Sequence, residues 1–244
     1  MRTLTALVVV TAAAAACQPH PPPPAAPPPP PSEMATFQAK LEAALRRMHD
    51  RFTFAHQSER AIAHGNLALA RASARVVRNL DEPDATAEWQ PFLASVRDAA
   101  HHVELASGAV DAAAATGTLA MRCAQCHVAI GAKVKFAELA RPSQDPRNAP
   151  EMLDHQWASE LMWEGVIGPD AERWLRGAAA LETAPLNAVA TALTPRYQGD
   201  SDDVTRIRAF ARAAREATTL EERATLFGQM LGACAHCHQV LRDL

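Results

Sequence analysis

Two short segments constrain this chain more than anything else in it: Cys123-Ala-Gln-Cys126-His127 and Cys234-Ala-His-Cys237-His238. On a helix, positions i, i+3 and i+4 share one face. Each segment, if helical, therefore presents two sulfurs and an imidazole together. Cys-x-x-Cys-His is the attachment signature of a c-type haem, in which the thiols become thioethers and the imidazole binds iron. Two copies use four of the five cysteines, which makes a chance match a poor explanation. The motifs imply two covalently bound haem c groups, held by Cys123, Cys126, Cys234 and Cys237, with His127 and His238 as proximal iron ligands. The same cysteines could also make up a four-cysteine zinc site. Each pair is followed at once by histidine, however, and the two pairs fall in separate repeats.

The repeat appears when Met48 is set over Met152. The two halves then run together for about 25 residues without a gap. Ala61-Ile62-Ala63 falls on Gly165-Val166-Ile167, and the turn signal Gly65-Asn66 falls on Pro169-Asp170. From Met48 to Cys123 is 75 residues and from Met152 to Cys234 is 82, the extra seven lying around Thr194 to Asp203.

Each half reads as four helices. In the first, Leu41, Leu45, Met48 and Phe52 make one apolar stripe. The chain turns near Gly65, continues over 67–80 and breaks at Asp81-Glu82-Pro83-Asp84. A third helix is predicted over 89–107, with Pro91 in its first turn, and a fourth from about Val110 through His127. In the second half the helices fall near 151–167, 170–183, 201–218 and 220–241. Alanine dominates, and no Val/Ile/Thr alternation suggests strands. Four antiparallel helices with short loops make an up-down bundle. The fold expected is all-α: two tandem antiparallel four-helix bundles, haem domain 1 over 34–140 and haem domain 2 over 150–244, each with its motif on its last helix. Arg141 to Pro150, with three prolines, is the expected hinge.

Only six residues follow His238 in this sequence, so the second half finds its remaining haem contacts upstream. That arrangement, and the segment from Leu226 to Arg242, resemble the four-helix-bundle cytochromes c, the cytochrome c′ and cytochrome c556 class. The likeness covers about 20 residues per half and includes a basic residue, Arg242, four after the histidine. The first copy departs there, with Gly131 in that place and Lys133 and Lys135 further on. The resemblance implies that a methionine on the first helix of each bundle fills the sixth iron position, as in cytochrome c556, or that the iron stays five-coordinate, as in cytochrome c′. Met48 and Met152 hold equivalent places on the first helices and are the possible distal ligands; a thioether raises the haem potential. Both also suit an apolar core, where methionine fills gaps. His155, three residues after Met152, competes for the same position, and its equivalent is Arg51. His49, His56, His64, His101 and His102 read mainly as surface residues, and Trp157, Trp163 and Trp174 as candidates to pack on haem 2.

The first residues run from a short charged start through an apolar stretch to small residues, in the order of an export signal. The stretch is too short to span a bilayer. Ala14-Ala15-Ala16-Cys17 resembles a bacterial lipobox, so residues 1–16 are expected to be a lipoprotein signal peptide and Cys17 the lipidated first residue. Residues 17–33, mostly proline, are the expected tether, extended as polyproline II. This places the protein in the bacterial envelope, lipid-anchored and facing the periplasm, with Gln18 favouring the outer membrane. The formal net charge is −3, which gives no case for nucleic-acid binding. No catalytic triad or phosphate loop is recognisable, and no enzymatic activity is expected. The reading is an exported diheme c-type cytochrome that transfers electrons with redox protein partners. The alternative is a five-coordinate haem protein that binds a diatomic gas such as NO or CO.

Overall fold

The computed structural model describes residues 31–142, 150–184 and 200–242. Cys17, the signal segment, most of the tether and most of the Thr194 to Asp203 insertion lie outside the described residues. Among the described residues the fold is all-helical, with eight helices and no strand. They are α1 (Pro31–Ala63), α2 (Leu67–Asn79), α3 (Gln90–Leu105), α4 (Ala109–Ala129), α5 (Pro150–Ile167), α6 (Ala171–Thr183), α7 (Asp200–Glu216) and α8 (Leu220–Arg242). None is long and apolar enough to cross a membrane.

The helix borders follow local chemistry. The end of α1 is a Schellman turn: Gly65 takes φ 65°, and the Asn66 and Gly65 N–H groups donate to Ala61 and Ile62 carbonyls. The Asn66 side chain then caps α2 by accepting from the Leu69 N–H at 3.1 Å. Asp170, its counterpart in the repeat, caps α6 through the Arg173 N–H at 3.0 Å. Pro91 stands in the first turn of α3. A capping box opens α8: the Glu222 carboxylate accepts from the Thr219 N–H while the Thr219 hydroxyl accepts from the Glu222 N–H. α7 begins at Asp200, one residue before the start expected for the helix near 201–218, so the end of the inserted segment, Asp200 to Asp203, forms its first turn.

Within each half, α3 packs on α2 and α4, and α6 packs on α5 and α7, with α7 on α8. An extensive helix contact joins the halves, α4 against α8. The two helices run antiparallel: Gly117 faces Ala224, Gly228 faces Ala113, and Gly232 faces Val110. A Cβ on Gly117 would run into the Ala224 carbonyl, so only glycine allows the backbones this close there. α5 also packs on both α4 and α8, and α1 meets α5 through Arg60–Glu160 at 3.3 Å. From Lys40 onward the described residues belong to one compact unit.

The segment after α4 lies along the second half. Phe136 packs against Gly168 and Phe52 and under the Arg173 guanidinium. The Leu139 carbonyl accepts from the Trp157 indole N–H at 2.9 Å. Arg141, where the hinge was expected to begin, is clamped to buried Asp154 by two bonds of 3.1 and 3.0 Å. Residues 143–149 of that hinge lie outside the described residues.

The apolar stripe of α1 divides. Phe52 packs on the core, while Leu41 and Leu45 are 49% and 52% exposed. The cause is the length of α2. It pairs with α1 from Ser58, which donates to the Ala70 carbonyl, back to Arg51, which donates to the Leu80 carbonyl. Leu41 and Leu45 lie beyond that end.

Candidate metal centres

Cys123, Cys126 and His127 sit near the C-terminal end of α4, all buried. The helix stops two residues later, at Ala129, in a second Schellman turn: Gly131 takes φ 66°, and the Ala132 N–H donates to the His127 carbonyl at 2.8 Å. This gives a physical reason for the first copy's departure from a basic residue at this place, since the position needs a left-handed conformation that glycine adopts without cost. Burial pushes the Cys123 thiol up to about 12 and raises Cys126 as well, against the nearby Arg51 charge. Arg51 is itself buried, donating to Glu82 at 2.6 Å and to the Leu80 carbonyl at 3.1 Å.

The second motif lies toward the C-terminal end of α8. Because α4 and α8 are antiparallel, the two motifs occupy opposite ends of the pair. At 1.5 Å per residue from the crossing, roughly 20 Å separates Cys123 from Cys234. The four thiols therefore do not converge, and the four-cysteine zinc arrangement is not formed. Among the described residues no group of three or more His, Cys, Asp or Glu is placed to hold a metal ion by itself. Burial, with Glu59 and other acidic neighbours, pushes the Cys234 thiol up to about 12. His236, between the cysteines, turns outward to pair with buried Asp203 at 2.6 Å.

The two motif histidines are held alike. His127 Nδ1 lies 2.8 Å from the Ile167 carbonyl oxygen, and His238 Nδ1 lies 2.6 Å from the Ala63 carbonyl oxygen. A carbonyl only accepts, so each Nδ1 carries a proton, and in a neutral ring the lone pair then lies on Nε2. Ala63 and Ile167 are the last residues of α1 and α5, and they are counterparts in the Met48/Met152 register. The last carbonyls of a helix lack intrahelical partners and carry the negative end of its dipole. Such acceptors fix the ring and raise the basicity of the opposite nitrogen. Burial lowers the pKa of His127 and the Ile167 bond opposes it, so this ring is neutral near pH 7.

Each site thus draws on both halves. The first motif takes its carbonyl from α5 and its neighbour Arg51 from α1. The second takes its carbonyl from α1, and His155 of α5 is close enough for the charge of His238 to lower its pKa. Met48 and Met152 are half-buried, one turn before Arg51 and His155 on adjoining faces. His64, exposed as expected, stacks on His238 with ring centroids 5.2 Å apart and planes 8° from parallel. Trp163 and Trp174 are wholly buried core residues: Trp163 packs on Phe227, and Trp174 donates to the Ala214 carbonyl at 2.7 Å.

The sequence reading missed the carbonyl acceptors, which have no side-chain signature, and Glu59. Glu59 is 3% exposed and accepts from Ser159 at 3.4 Å. A lone glutamate on a helix reads as solvated surface. No family model matches the chain, and no curated protein or solved structure does either.

Proposed function

We propose that this chain is a diheme c-type cytochrome that carries electrons. The observation that carries the reading is the repeated histidine geometry: in both Cys-x-x-Cys-His motifs, Nδ1 donates to the final carbonyl of a helix, the kind of bond that orients a metal-binding histidine. One axial imidazole per site suffices when a porphyrin supplies four nitrogens.

A haem at each motif supplies a one-electron ferric–ferrous couple. The chain's own residues set the conditions for it. His127 and His238 hold the proximal side, oriented by Ile167 and Ala63. Arg51, ion-paired to Glu82 at 2.6 Å, places a buried charge pair beside the first motif. With haem bound, α1 and α5 would supply the distal side, where Met48 and Met152 are thioether candidates. The protein is an exported one in this reading, anchored through Cys17 and the proline-rich tether and facing the periplasm, where it meets redox partners.

The test is an anaerobic redox titration of the exported, haem-loaded chain, followed by addition of carbon monoxide to the reduced form. Reversible one-electron cycling of two haems, without complete carbon monoxide uptake at both, is the expected result. A rapid, complete spectral shift at both haems would favour gas binding over electron transfer. Absence of haem would overturn both readings.

A further inference from the structure

The repeat places one residue of each half in the same position relative to Met48 and Met152: Arg51 in the first half and His155 in the second. Each lies close to its own motif, and the two cannot do the same chemistry. Arg51 is held firmly in place. Its Nη1 donates to Glu82 at 2.6 Å, its Nη2 to the Leu80 carbonyl at 3.1 Å, and its side chain is 4% exposed. A guanidinium stays protonated and has no lone pair to give to a metal. His155 is the opposite case. Its Nε2 is buried and has no hydrogen-bond partner, an arrangement that costs free energy unless something meets it. The ring sits on α5, which packs against α8, and the nearby charges include Asp154, Arg208 and His238. An imidazole nitrogen that is buried without a partner, on the helix that packs against the second motif's helix, is a lone-pair donor with nothing to receive it.

We propose that His155 is the sixth ligand of the second haem iron, so that this centre is bis-histidine and the first, with Arg51 at the equivalent position, is not. The inference rests on the diheme reading. It assigns the distal place of site 2 to His155 in preference to Met152, and it makes the two haems unlike in a molecule whose proximal sides are alike. Two imidazoles give a lower potential than an imidazole with a thioether. The second centre is then the stronger reductant, and an electron held by the chain rests on the first.

The test is electron paramagnetic resonance and near-infrared magnetic circular dichroism on the intact, oxidised, haem-loaded protein. It is compared with His155→Ala and Met152→Leu, and a pyridine haemochrome assay counts covalent haem in each. The wild type should show a bis-imidazole low-spin signal accounting for half of the ferric haem. That signal should vanish in His155→Ala, return on adding free imidazole, and persist in Met152→Leu. A bis-imidazole signal from neither haem or from both would overturn the proposal in the wild type alone, even if His155→Ala does not fold. Loss of the signal in Met152→Leu, or its survival in His155→Ala, would also overturn it. A haemochrome count of zero would sink the diheme reading itself, whereas two haems with no such signal would sink only the role of His155.

Discussion

Glu59 shows how far one residue can depart from what its type suggests. It lies beside Cys234, accepts from Ser159, and burial pushes its carboxyl up to about 8 from an ordinary 4.5. The folded chain therefore keeps a proton on Glu59 between about pH 4.5 and 8 that the unfolded chain has released. Stability from this group is complete below the unfolded value and is lost as pH rises through the folded one, by on the order of 1.4 kcal/mol per pH unit within the window. Glu59→Gln, which keeps a neutral side chain of the same shape, should lose less stability than the wild type between about pH 5 and pH 8. Urea midpoints at the two pH values measure this, and equal pH dependence in both proteins would contradict it. Nothing in the sequence marks Glu59, because its burial comes from α5 and α8, which are distant in the chain. The motif cysteines and histidines were legible because their spacing alone creates a common face. Ala63 and Ile167 were not, since any residue supplies a carbonyl.

Helices were legible where the chain carries caps and turn formers. Gly65-Asn66, Pro91 and the alignment with Pro169-Asp170 locate α1, α2, α3, α5 and α6 closely, because those residues satisfy terminal backbone groups wherever the helix packs. Partner choice was not legible. Periodicity shows which face of a helix is apolar and says nothing about which helix covers it, so the α4–α8 contact could not be read off. Its mark, in retrospect, is the run of small residues on α4 facing Gly228 and Gly232. The contact makes a graded prediction. A methyl at Gly117 would run into the backbone of Ala224, and Gly117→Ala should cost about 1–3 kcal/mol. That corresponds to several degrees in Tm at about 2–4 °C per kcal/mol. At Gly232 the nearest atom to a new methyl is 3.7 Å away, so Gly232→Ala should be neutral or add up to about 1 kcal/mol through helix propensity. Thermal melts of the two variants test this, and equal effects would contradict an α4–α8 contact of this closeness.

At the scale of the whole molecule, the two halves of the repeat complete each other's sites. The final carbonyl of α1 orients His238 and that of α5 orients His127, so each motif histidine depends on a helix from the other half. The sequence repeat made two similar sites legible. That they are built jointly was not legible, since a repeat reads equally well as two independent units. The central claim is that each motif carries a covalent haem, and intact-mass measurement of the exported chain tests it most directly. The full chain should be heavier than its processed polypeptide by two haems. The double variants Cys123→Ala/Cys126→Ala and Cys234→Ala/Cys237→Ala should each be heavier by one. A chain with the mass of the bare polypeptide, expressed where c-type haem is attached, would contradict the account.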